Sequence, residues 1–415
     1  MIAAALSLGV LMTGWGCAGP VGDVGEVVRV RTAGGDVHEG EIVSWESGGR
    51  LVLAVVGGAN IEIASRDVDD VSFVQAASKP PSGGWVIETR DRMRLFGQIV
   101  SGNEAGVVVR QVGIGEISVP LDRLVSIRTR RPGGNAATSA AGEATVPGAG
   151  GPDMDEVFLA NGDVMDVVVT GVRREGAAIL RDDREQTLSW KVIRAIRFAA
   201  SSSPVGVKMG VRLHLVDGSV VPAASLQWQG KTLIARLGGG QTLRCDASWL
   251  ARVEVIGGRH VRLRDLVPSE YRSTPFFDRS WPLRVNRNAL GGKLRIDGKA
   301  YALGLGLHAA CLIRWKLDGN YERFTGLVGI DDSAGAWADA DVTIRVDSKT
   351  PVVFKGLLHL QPPRRIDVDL RGGRELVIEV GFGRNGDVQD RVDLVNAALI
   401  RAASAAATTR PGPFR

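Results

Sequence analysis

Tyr301-Ala302-Leu303-Gly304-Leu305-Gly306-Leu307-His308-Ala309, followed by Leu327-Val328-Gly329-Ile330-Asp331-Asp332, decides the fold. The first stretch sets two glycines, a histidine and an alanine among apolar residues, the composition of a backbone that passes close to another strand. The second ends an apolar run in two acids. Between them Cys311-Leu312-Ile313-Arg314-Trp315-Lys316-Leu317 turns from an apolar run into alternation, and Asp318-Gly319-Asn320 signals a turn. The period is that of β-structure, with no helical stripe nearby.

The rest of the chain agrees with an all-β fold. Among 415 residues there are 54 glycines and only 5% aromatics, which predicts many turns between short strands. The net charge of +5 comes from arginines scattered among acids, not from a basic block, so no nucleic-acid partner is expected. Cys17, Cys245 and Cys311 have no metal-ligand spacing and no CxxC pair, and the last two are expected to be buried thiols.

Residues 1–18 are apolar and small and are read as an export signal, although no Lys or Arg precedes the apolar run. Gly14-Trp15-Gly16-Cys17 matches a lipoprotein box only in its last two residues, so membrane attachment is expected only if Cys17 carries a lipid. The chain is expected to be exported, to the periplasm, the cell surface or the medium.

Four repeats follow, at 26–75, 85–130, 155–199 and 209–256. Their openings are Val28-Arg29-Val30, Val86-Ile87-Glu88, Val157-Phe158-Leu159 and Val211-Arg212-Leu213, and three of them lead to a Gly-Asp or Asp-Gly hairpin signal. Each closes on an alternating strand, such as Val71-Ser72-Phe73 or Val253-Glu254-Val255. A repeat is long enough for one curled sheet or five-stranded barrel, marginal alone, so neighbours are expected to pack as first with second and third with fourth. The repeats resemble small Sm-like or Src-homology-like barrels by pattern alone and are read as spacer or protein-contact modules. Residues 131–154, rich in Gly, Ala and Thr, read as a flexible linker, and 403–415 as a disordered tail.

Residues 259–402 change grammar. Gly304-Leu305-Gly306-Leu307-His308-Ala309, Tyr321-Glu322-Arg323-Phe324, Val328-Gly329-Ile330-Asp331-Asp332 and Asp390-Arg391-Val392-Asp393 before Ala397-Ala398-Leu399-Ile400 occur in an order that resembles the NPCBM family, carbohydrate-binding modules found beside family 98 glycoside hydrolases. The resemblance implies a galactose-binding-like β-sandwich whose end loops hold a sugar and which often carries a structural calcium. The period-2 runs 342–346, 352–354, 366–370 and 376–380 suit such a sandwich. One departure stands out: the family pattern Asp-His-x-Asp-Trp reads Asp390-Arg391-Val392-Asp393-Leu394 here.

Sugar recognition needs an aromatic plate for the C–H face and fixed polar groups for the hydroxyls. Trp337, Arg391, His308, Asp390, Asp393, Trp281 and Arg284 are the candidates, and Asp331 with Asp332 the candidate calcium ligands. His308, between apolar residues, equally suits a hydrogen-bonded core position, and Trp337, flanked by small residues, is the best plate. No GxSxG, HExxH, phosphate loop or dinucleotide fingerprint is present, so a non-catalytic glycan-binding protein is expected. The alternative is a surface structural module contacting protein partners; a hydrolase comes third.

Overall fold

The computed structural model describes residues 27–55, 57–73, 84–130, 154–181, 184–199, 210–274, 280–386 and 388–403. The expected leader with Cys17, all of the expected linker but residue 154, and all of the tail but residue 403 lie outside them. Among the described residues no helix is long and apolar enough to cross a membrane.

In the first repeat Val28–Thr32, Val37–Trp45, Arg50–Val55 and Asn60–Ala64 pair in succession, and a 3-10 turn at Ser65–Asp67 returns Val68–Phe73 to the opening strand, with Val30 opposite Val71. The chain thus curls almost into a barrel. The second strand makes this possible, because a bulge between Ile42 and Ser44 bends it from one partner to the next. Bulges recur at Ile99/Ser101 and Val169/Gly171. In the fourth repeat the strand is split into Val220–Ala223 and Ser225–Gln229. The hairpin signals hold: Gly35, Gly162 and Gly218 take positive φ, where the second repeat has Arg92 at φ 66°.

The pairing of repeats differs from the order expected. The closing strand of the first repeat lies antiparallel to that of the fourth, Val71 opposite Val253, and the closing strand of the second lies against that of the third, Ile127 opposite Ile196. A closing strand has one edge in its own barrel and one free, and the free edge is completed by another alternating strand. Alternation fixes which face is apolar but not which edge is taken. All four repeats then share one hydrophobic core around Trp45, Leu53, Leu95, Ile127, Ile179 and Leu213.

The sandwich has its own core. One sheet runs Arg284–Val285, Gly304–His308, Arg391–Arg401, Tyr321–Ile330, Arg364–Asp369, with His260–Arg262 also on the Arg391–Arg401 strand; the other runs Glu270–Ser273, Cys311–Lys316, Glu375–Phe382, Asp339–Val346, Val352–Leu358. Leu305, Leu307, Phe324, Val328 and Leu394 from the first meet Ile313, Trp315, Ile344 and Ile378 from the second. The two glycines of the deciding stretch are required by contact. A Cβ on Gly304 would lie 2.4 Å from the Leu394 carbonyl oxygen, and one on Gly306 2.2 Å from that of Arg287. Cys245 and Cys311 are buried free thiols, each pushed up to about 12 chiefly by burial.

Repeats and sandwich meet at a buried ionic cluster. In the register of the first and fourth repeats Glu254 stands opposite Asp70, two like charges facing each other. The entry segment of the sandwich answers them: Arg262 bonds both Asp69 and Glu254, and Arg264 bonds Glu254. Arg212 and His214 reach Glu254 at 3.3 and 3.0 Å, and His260 reaches Asp69 at 2.8 Å. Burial works against the Glu254 charge, but Arg264 and Arg262 outweigh it and hold the carboxyl well below its ordinary value. Replacing Glu254 by Gln strands buried guanidinium groups and is expected to cost about 3–5 kcal/mol in urea unfolding. Arg323→Ala, which breaks the exposed Arg323–Asp367 pair, is expected to cost less than about 1 kcal/mol. Equal losses would deny the cluster its place.

Candidate functional site

Strand register carries the sequence candidates to one end of the sandwich. His308 ends its strand opposite Arg391, which begins the next, and Ile330 ends a third opposite Val392. In the facing sheet Cys311 is opposite Val380 and Ala340 opposite Phe382. The crossings at 309–310 and 331–338 and the residues 383–386 and 388–390 therefore lie together. The Arg284–Val285 strand runs antiparallel to Gly304–His308, which directs the chain at Trp281 toward the same end.

Hydrogen bonds tie these loops to one another. The Arg391 guanidinium donates to the Ser333 carbonyl, and the Asp331 N–H to the Arg391 carbonyl at 2.9 Å. Asn385 Nδ2 donates to the Trp337 carbonyl at 3.0 Å, anchoring that backbone from the neighbouring loop. Gly335 packs against Gln389, where a Cβ would meet Oε1 at 2.4 Å. On this framework the Trp337 side chain is 71% exposed. A tryptophan held out by a tied loop is an available plate.

The other candidates divide between surface and support. His308 is buried, its Nδ1 donates to the Ala309 carbonyl at 2.7 Å, and its ring stacks flat on Trp281 at 4.3 Å between centroids. One face of Trp281 is thereby committed to the fold. Asp390 is buried; its Oδ1 accepts the Asp339 N–H at 3.0 Å and its carbonyl the Ala309 N–H at 3.1 Å, so it stitches three loops together. Arg284 donates from Nε to the Ala289 carbonyl at 3.0 Å.

Asp331 and Asp393 are fully buried neighbours. Asp331 Oδ1 accepts from Asn288 Nδ2 at 2.8 Å and the Ser333 N–H at 2.9 Å, and Oδ2 accepts the Arg295 N–H at 3.1 Å. Asp332 Oδ2 accepts the Gly298 N–H at 3.0 Å. Both Asp331 oxygens and Asp332 Oδ2 thus face N–H dipoles, whereas Asp332 Oδ1 and both Asp393 oxygens make no hydrogen bond among the described residues. Among the described residues no group of three or more His, Cys, Asp or Glu could hold a metal. Burial, and then the adjacent Asp331, push the Asp393 carboxyl well above its ordinary value.

Three residues here went unnoticed in the sequence. Arg384, with 89% of its side chain exposed, lies 3.6 Å from Asp339 Oδ2; Asn385 holds the Trp337 loop; Gln389 takes a positive φ of 63°. The turn signal Gly383-Arg384-Asn385-Gly386 between two alternating strands was the available clue.

The segment is thus a two-sheet antiparallel sandwich with an aromatic and polar loop end. Residues 259–400 match the family model described as NPCBM/NEW2 domain, and this part of the chain is such a domain. Over 231 residues, half of this chain, the sequence is 25% identical to a Renibacterium salmoninarum protein named "Putative endo-alpha-N-acetylgalactosaminidase", of which it spans only 15%. Similar solved structures include the CBM51 module of Clostridium perfringens GH95 in complex with methyl-galactose, at 20% identity and TM-score 0.31, covering 34% of this chain and 99% of that one. The tandem CBM51 modules of a family 98 glycoside hydrolase from Streptococcus pneumoniae match at 15% identity and TM-score 0.31, covering 76% and 88%.

Position 394, where the family pattern has Trp, is fully buried here, so Leu394 is a core residue repacked at smaller volume. A raised carboxyl pKa favours the protonated folded state, so the Asp393 contribution to stability is present below the ordinary value of 3.8 and is lost as pH rises from there toward the folded value. Within that window each pH unit costs about 1.4 kcal/mol. Asp393→Asn, neutral at every pH, is expected to gain stability over the parent chain as pH rises from about 4. Thermal midpoints against pH measure this, and a gain independent of pH would show that Asp393 does not titrate upward.

Proposed function

We propose that the chain is an exported, non-catalytic glycan-binding protein whose sandwich loops seat a neutral sugar against Trp337. The observation that carries the reading is the exposure of that indole on a loop pinned by Asn385 and neighboured by Arg391 and Ser333. An aromatic face takes the C–H side of a pyranose, while Arg384, Asn385 and the Ser333 hydroxyl bring hydrogen-bonding groups for its hydroxyls. The NPCBM/NEW2 assignment supports a sugar as the ligand class.

Non-catalysis is supported by the acids themselves. Glycoside hydrolysis uses two carboxyl groups across a solvent-filled cleft, roughly 5–10 Å apart. At this end Asp331, Asp390 and Asp393 are all buried and, apart from the raised Asp393 carboxyl, engaged by backbone N–H groups. The apolar stretch at residues 1–18 and the proposed ligand class support export.

Pull-down of the full chain on immobilised polysaccharides, followed by titration with the captured sugar, tests this. Trp337→Ala is expected to weaken binding by about tenfold or more, since a lost stacking plate is worth at least ~1.4 kcal/mol, with no change in thermal midpoint because the side chain lies in solvent. Unchanged affinity, or no binding to any neutral glycan, would remove the sandwich loops as the site.

A further inference from the structure

Pairing of the second and third repeats creates a groove that neither has alone. Trp85 opens the second repeat and Trp190 follows the Arg184–Ser189 strand of the third, yet their ring centroids lie 4.5 Å apart with planes tilted by 53°. Both are half-buried. With Gln98, Ile99, Arg110 and Arg174 they line a groove of about 460 Å³. That is within the range of roughly 300–1,000 Å³ in which small ligands are held.

Local structure sets each wall. Gln98 and Arg110 are opposite partners on one hairpin, and Glu116 holds the Arg110 guanidinium at 2.6 and 3.1 Å. Gly97, opposite Trp85 in the ladder, has no room for a side chain, since a Cβ there would lie 2.6 Å from the Arg110 carbonyl oxygen. Bare backbone therefore keeps the strand low beside the indole. On the other side Trp190 Nε1 donates to the Arg173 carbonyl at 3.0 Å, and its backbone N–H to that of Glu175 at 3.2 Å. The tryptophan thus clamps the turn that carries Arg174. Arg174 is exposed and makes no ion pair among the described residues.

The groove offers aromatic surface, N–H donors and an uncompensated guanidinium, and no acid lines it. Its ligand must supply an apolar ring face, acceptor oxygens and a negative charge. The geometry points to a second glycan site, on the repeats, for a sugar bearing a carboxylate or sulfate: the ring rests on Trp85 and Trp190 and the acidic group meets Arg174. A proline-rich peptide would use the same stacking but leave Arg174 without an anion. The site is separate from the sandwich loops and does not depend on a sugar binding there.

Calorimetric titration of the full chain at low salt with oligogalacturonate, with heparin oligosaccharides and with neutral oligogalactosides tests the assignment. At least one acidic probe is expected to bind, and which one binds identifies the acid. Arg174→Glu, a change on the surface, is expected to weaken that binding by about tenfold or more, and Trp85→Ala likewise, whereas Trp337→Ala leaves it unchanged. The proposal is overturned if neither acidic probe binds, if Arg174→Glu binds as well as the parent chain, or if a proline-rich peptide displaces the sugar. If Trp337→Ala abolishes acidic-sugar binding while Arg174→Glu does not, the acid belongs to the sandwich loops and the groove is empty of function.

Discussion

Asp70 and Glu254 face each other across the junction of the first and fourth repeats, and the rest of the architecture follows from how that repulsion is relieved. Two buried carboxylates on opposite strands are unfavourable unless cations reach them. The cations come from Arg31, Arg212 and Arg252 of the repeats and from Arg262 and Arg264, in the segment where the sandwich begins. Docking of the repeats and placement of the sandwich thus share one ionic cluster. Buried ion pairs contribute little net stability over apolar packing, because desolvation offsets attraction, but they penalise misplacement heavily. At this position that is the useful property: a shifted register would leave Glu254 without its guanidinium partners.

The same segment serves both bodies. His260–Arg262 is an edge strand of the sandwich, paired with Arg391–Arg401, while its side chains point at the repeats. Arg259 extends the link, bonding Asp67 of the first repeat, Glu322 of the sandwich and the Arg401 carbonyl. A strand that supplies backbone bonds to one domain and charges to another leaves little freedom between them. Loops at the far end of the sandwich are then presented in a fixed direction relative to the repeats.

Local grammar was legible in the sequence because it depends on neighbours. Gly-Asp hairpins, alternating closing strands and the close-packed glycines Gly304 and Gly306 each declare themselves within a few residues. What could not be read are meetings at long range. Nothing near Val71 says that its free edge is taken by Val253 and not by the second repeat, since both candidate edges alternate alike. Trp85 and Trp190 read as ordinary barrel aromatics until that pairing is known. Asp331 and Asp332 read as cation ligands because acids after a strand suit a loop; the partners Asn288, Ser333, Arg295 and Gly298, which turn both Asp331 oxygens and Oδ2 of Asp332 to N–H groups and leave Oδ1 of Asp332 unbonded, come mostly from distant segments.

The departure at Asp390-Arg391-Val392-Asp393-Leu394 can now be divided by role. Leu394 lies in the sandwich core and Asp393 is buried on the opposite face of the same strand, so the change of Trp to Leu alters packing. Arg391 differs: it stands opposite His308 at the strand end and its guanidinium reaches over to the Ser333 carbonyl. An imidazole there would be too short to bridge to the 331–338 loop, whereas guanidinium, planar and always charged, can hold that loop and still present N–H donors at its edge. Arg391 thus ties the loop that leads to Trp337 to the strand beneath it.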